Sequence, residues 1–131
     1  MVKFGLHHSP FTSQSVWSFS HPLDSSDTLE REGSCKWKAP YDVAVQGLEA
    51  TFDCNLWGRA YFSIVPETHN KNFYNWFPRF VAFENELVME KGDELEVWMK
   101  RQAEKSCVWY QWRYEMRSNE GEVYVSSKWH N

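Results

Sequence analysis

Residues 48–56, LEATFDCNL, alternate without a break: Leu48, Ala50, Phe52, Cys54 and Leu56 are apolar, and Glu49, Thr51, Asp53 and Asn55 between them are polar. A period of two is the spacing of a β-strand, in which successive side chains point to opposite faces. The stretch predicts one strand with a buried face and a wet one. Trp57-Gly58-Arg59-Ala60 then reads as a turn into a second strand, 61–65, ended by Pro66, which has no amide hydrogen to give to a ladder. The pair predicts a hairpin.

The same reasoning extends along the chain. Lys91-Gly92-Asp93 is a turn; Leu95, Val97 and Met99 share one side of the strand after it, and Val108, Tyr110, Trp112 and Tyr114 share one side of the next. Those two strands are expected to be neighbours. Residues 14–20, 34–39, 83–89 and 122–126 are weaker strands, and 23–33 is a polar loop. About eight short strands separated by turns make the chain all-β, an antiparallel barrel or barrel-like sandwich. At 131 residues, with no repeat and no linker, it reads as one domain, 1–131.

Composition narrows the function classes. The net charge is -4 and Lys and Arg are scattered, so no basic stripe is present to neutralise phosphates, and nucleic acid is not an expected partner. No apolar run reaches the ~18 residues of a membrane helix, and the N-terminus lacks a signal-peptide pattern, which predicts a soluble, intracellular chain. Cys35, Cys54 and Cys107 are odd in number and far apart, as in a reducing compartment. No Cys or His spacing suits a metal, and His7-His8 is a lone pair. No glycine-rich phosphate cradle and no G-x-S-x-G occur, so neither a cofactor site nor a catalytic residue is expected in this chain. The carboxylates Glu84, Glu86, Glu90, Asp93, Glu94 and Glu96 read as a solvated face. Pro66-Glu67-Thr68-His69 sets a His near a Glu, and an acid-base pair there would need help from elsewhere in the chain.

Asn72-Phe73-Tyr74-Asn75-Trp76-Phe77-Pro78 is the exception to strand patterning, with four aromatic rings in five residues. Packing at the mouth of a barrel would account for it. Its order with SIVPETH before it, GDELEV and VWYQW after it, and FSHP and LEATFDCNLW upstream resembles the C-terminal β-barrel of the type II, PRMT5-like protein arginine methyltransferases. The resemblance spans about residues 16–124. It implies that Trp76 lays its ring against the guanidinium of a substrate arginine, with Asn75 and Phe77 beside it, while Phe73, Tyr74 and Phe77 anchor the loop. Asn75 stands where that family usually has a small residue such as Ser.

The resemblance further implies a methyl donor, S-adenosylmethionine, and catalytic glutamates held by a preceding domain that these residues do not contain. The chain is therefore expected to be an excised C-terminal domain or truncated product that does not transfer methyl groups alone. Implied partners are its own methyltransferase domain, further copies of itself, and arginine- and glycine-rich protein tails such as those of histones and splicing proteins. The competing reading is a stand-alone β-sandwich binding module that stacks Trp57, Trp76 or Trp129 on sugar rings.

Overall fold

The computed structural model describes residues 9–22, 24 and 28–131; His7, His8 and residues 23 and 25–27 of the polar loop lie outside them. Among the described residues the chain is all-β. It has eight strands: β1 (Arg31–Lys38), β2 (Val43–Ala50), β3 (Asp53–Trp57), β4 (Ala60–Ser63), β5 (Arg79–Met89), β6 (Glu94–Ala103), β7 (Val108–Arg117) and β8 (Val123–Ser126). They form a four-stranded sheet in the order β1-β6-β7-β8 and two pairs, β2-β5 and β3-β4. No sheet closes on itself among the described residues, which is compatible with a barrel-like sandwich and not with a closed barrel. The described residues divide into two compact units, one of residues up to 43 with 89–131, the other of residues 44–88.

In the first unit, β6 and β7 are neighbours as expected, with Leu95, Val97 and Met99 opposite Met116, Tyr114 and Trp112. Cys35 on β1 faces Val97. Cys35, Leu95, Val97, Tyr114 and Met116 are buried, so the period-two reading found the core face of this sheet. Burial pushes the Cys35 thiol pKa up. The reverse face is a charge ladder: Lys36 meets Glu96 at 3.2 Å, Lys100 meets Glu32 at 3.3 Å, and Glu115 takes Arg113 at 3.2 Å and Arg117 at 2.7 Å. Partly exposed pairs of this kind contribute little stability each, about 0 to 1 kcal/mol; Lys36–Glu96 and Lys100–Glu32 link β1 to β6, whereas both Glu115 pairs lie within β7.

Three expectations change. Residues 14–20 form no strand. Instead the Gln14 side-chain amide accepts from Lys36 N at 3.2 Å and donates to Lys36 O at 2.5 Å, giving β1 a side-chain substitute for a ladder partner. The segment is held further by Trp37 Nε1, which donates to Thr12 O at 2.9 Å. Residues 48–56 are two strands, because the chain leaves its pairing with β5 after Ala50 and takes up β4 at Asp53. The alternation therefore spans two sheets, and a bulge between Asn55 and Trp57 leaves Leu56 64% exposed rather than buried. The hairpin itself forms. Its two-residue turn is Gly58-Arg59, with Gly58 at φ +57° in the first central position, where a II′ turn requires glycine.

The third change concerns the acidic run. Glu84, Glu86 and Glu90 are exposed as a solvated face should be, but Asp93 is only 6% exposed. Its carboxylate accepts from Glu90 N at 3.0 Å, from Asn119 N at 3.1 Å and from the Tyr124 hydroxyl. The turn before β6 is thereby tied to the turn before β8. Desolvation of the phenol, then the hydrogen bond to Asp93 and the charges of Asp93 and Glu90, push the Tyr124 pKa well above the ordinary 10.0. Tyr124 as a residue is 45% exposed, so the shift belongs to its hydroxyl end, which lies against Asp93.

A group whose pKa is raised by folding stabilises fully below its unfolded pKa and loses that contribution as pH rises through the folded value. The advantage of the native protein over Tyr124→Phe is thus expected to be constant up to about pH 10 and to shrink above it. Urea midpoints of both proteins across that range measure it; a difference that stays constant into strong alkali would contradict the bond.

Candidate functional site

The aromatic loop belongs to the second unit and starts from a polar clasp. After β4 the chain makes a 3-10 turn, Pro66–Thr68. Ser63 is fully buried at the strand end, where its Oγ lies 2.8 Å from Thr68 Oγ1 and accepts from Val65 N at 3.0 Å. Asn70 closes the ring: its Oδ1 accepts from Ser63 N at 2.6 Å, and its own N donates to Ser63 O at 3.1 Å. Short polar side chains of this type satisfy backbone groups that would otherwise need a strand or helix, which is why the chain can leave the sheet here without an orphaned donor. Sequence reasoning missed all three. The available signal was three small polar residues flanking Pro66 at a strand end.

Above the clasp runs a chain of rings. Phe73 leans on Phe62 of β4 with centroids 5.2 Å apart, Phe62 meets Phe52 edge-on at 5.7 Å and 90°, and Phe52 meets Trp76 edge-on at 5.5 Å and 81°. Trp76 is 55% exposed and Asn75 is exposed. The expected anchoring by Tyr74 and Phe77 is not observed, since these side chains are 72% and 71% exposed. Phe73 alone of the three is half-buried, because its amide is fixed by Asn70 O at 3.0 Å before the loop turns outward. Asn75, Trp76 and Phe77 are therefore displayed together on one outward loop.

The other tryptophans differ in setting. Trp57, at the β3-β4 hairpin tip, is 88% exposed. Trp129 belongs to the first unit, where the Lys100 ammonium lies 4.6 Å from its ring centroid and the Arg113 guanidinium 5.6 Å. That ring is already engaged by cations, which a stacked sugar would have to displace.

An indole held by one edge-to-face contact with about half of its surface open is of the kind that can hold a planar cation, an interaction of about 0.5 to 2 kcal/mol once water is displaced. Among the described residues no group of three or more His, Cys, Asp or Glu is placed to hold a metal ion.

Comparison with known proteins gives the same family from several directions. The profile described as PRMT5 oligomerisation domain matches residues 3–131. Protein arginine N-methyltransferase 5 of Caenorhabditis elegans is 28% identical over 111 residues, covering 85% of this chain and 15% of the relative. Protein arginine N-methyltransferase skb1 of Schizosaccharomyces pombe is 26% identical over 129 residues, covering 89% of this chain and 21% of the relative. Protein arginine N-methyltransferase 5 of Oryza sativa subsp. indica is 29% identical over 104 residues, covering 76% and 16%. The chain spans 15 to 21% of the length of these relatives. With a match that runs through the clasp, the aromatic loop and all eight strands, the chain belongs to the PRMT5 oligomerisation domain family.

Proposed function

We infer that the chain works as the C-terminal domain of a protein arginine methyltransferase of the symmetric dimethylarginine type, supporting subunit assembly and presenting Trp76 to the substrate arginine. The observation that carries the reading is the pose of Trp76: a large ring left more than half exposed while its loop is clasped from below. Asn75 and Phe77 flank it on the same loop and would border the arginine side chain. Arginine- and glycine-rich tails are the matching substrate class. Leu56, Trp57, Tyr61 and Phe80 of the same unit are also exposed, and apolar surface of this extent suits association with the methyltransferase domain or another subunit.

The described residues of this chain do not fit S-adenosylmethionine. Among the described residues no α-helix follows a glycine-rich turn, the usual cradle for such a ligand, so the methyl donor is assigned to the rest of the enzyme.

Trp76→Ala tests the reading. In the full-length enzyme it is expected to lower kcat/KM for an arginine-glycine peptide at least about tenfold. In the isolated chain the same change should cost less than about 1.5 kcal/mol in urea unfolding, against about 3 to 5 kcal/mol for a fully buried Trp. Full activity without the ring, or an unfolded chain, would return the loop to core packing.

A further inference from the structure

We propose that Phe52 is a positioning residue for the arginine site, setting the angle of the Trp76 indole through an edge-to-face contact; the inference rests on the reading of Trp76 given above. A half-exposed ring on a loop has several staggered rotamers open to it. Stacking a guanidinium requires one of them, and a ring that must first be ordered by the ligand binds it less well than one already held. The structure supplies one ring contact to Trp76 among the described residues, Phe52 at 5.5 Å and 81°.

Phe52 is itself fixed. It sits where the chain passes from β2 to β3, and its carbonyl accepts from Ile64 N at 3.0 Å. On its other side it meets Phe62 edge-on at 5.7 Å, and Phe62 carries Phe73 at the beginning of the loop. Phe52 and Phe62 thus grip Trp76 and Phe73, three residues apart, from two segments joined by a hairpin. The interruption between β2 and β3 at residues 51–52 gains a purpose on this view. A residue inside a continuous strand could not turn its ring toward the loop without giving up its place in the sheet face.

The contact geometry also explains why an aromatic side chain is needed. The positive edge of one ring meets the negative face of another at near-perpendicular planes, so the pair has a preferred angle that an aliphatic side chain of similar volume does not impose. Leu or Met at position 52 would fill much of the space and leave the indole free to turn.

The test uses the 131-residue chain with nitrogen-labelled tryptophan, the Trp76 indole signal being assigned through Trp76→Phe. Phe52→Leu and Phe52→Met are expected to move the Trp76 indole signal and abolish its proton contacts to the ring at 52, leaving the other seven indoles in place, and Phe52→Tyr should restore the native signal. A Trp76 signal unmoved by Leu and Met overturns the proposal. Disturbance of all eight indoles by both variants also overturns it, because Phe52 would then be a packing residue. In the full-length enzyme Phe52→Leu should raise KM for an arginine-glycine peptide about fivefold, with kcat changed less and Phe52→Tyr near native. Unchanged KM beside a damaging Trp76→Ala refutes positioning and leaves the arginine reading standing. Full activity of Trp76→Ala removes the arginine reading and this proposal together, even where the indole signal has moved.

Discussion

Asp93→Ala is expected to lower the unfolding free energy by about 3 to 5 kcal/mol, among the largest losses available to a single change in this chain. Asp93 is almost fully buried and serves three donors, Glu90 N, Asn119 N and the Tyr124 hydroxyl. Truncation leaves two backbone amides and a phenol without their acceptor, and an unsatisfied buried donor costs about 1 to 3 kcal/mol. The backbone around Asp93 adds to the loss, because Ala39 N donates to Asp93 O at 2.8 Å and Gly92 N donates to Ala39 O at 2.9 Å, so a turn that relaxes also releases the end of β1. Asp93→Asn keeps the shape and one acceptor oxygen and should lose roughly half as much. Urea unfolding with an unchanged slope measures both. A loss under about 1 kcal/mol for Asp93→Ala would mean that water serves these donors equally well.

Asp93 also marks the limit of what one-dimensional pattern can tell. The turn Lys91-Gly92-Asp93 was legible from its residues, whereas the burial of Asp93 was not, because it stands in a run of solvated carboxylates and its partners Asn119 and Tyr124 lie 26 and 31 positions away. Strands were legible where the two faces of one sheet differ, as in Leu95, Val97 and Met99 against Glu94, Glu96 and Trp98. Periodicity cannot see a change of partner, so 48–56 read as one strand although its halves pair with β5 and β4. Nor can it distinguish a strand from a segment whose hydrogen bonds run through a side chain, as at 14–20, where the Gln14 side chain bonds the Lys36 backbone. In the loop, the density of aromatic residues announced a departure from the sheet. Which rings anchor it and which are displayed depended on Phe52 and Phe62, ten residues and more upstream.

Gly47→Ala is expected to destabilise the pairing of β2 with β5 by about 2 kcal/mol or more, although backbone entropy alone predicts the opposite sign. Alanine restricts the unfolded chain more than glycine does and on that ground would stabilise by about 0.4 to 1 kcal/mol. Space decides otherwise. A Cβ at position 47 would overlap Val81 O and would lie 2.7 Å from Phe80 Cζ and 3.0 Å from Ala82 Cα. Phe80 Cζ is the tip of an exposed side chain, but Val81 O and Ala82 Cα are backbone of β5 and yield only if the strand moves. Overpacking of this kind costs about 1 to 3 kcal/mol before any ladder bond is lost, and loss of a bond adds about 1 more. The two obstacles separate experimentally. If the ring were the obstacle, Phe80→Ala would rescue Gly47→Ala; because the carbonyl oxygen is closer and cannot leave, the double variant should remain nearly as unstable as Gly47→Ala corrected for the loss of Phe80. Amide exchange should accelerate in β2 and β5 of Gly47→Ala while β6 and β7 keep their protection, since the ladder between those two runs through ten residue pairs that position 47 does not touch. A neutral or stabilised Gly47→Ala would show that β5 can withdraw from β2 at no cost, and the close approach of these two strands would then have no part in holding the second unit together.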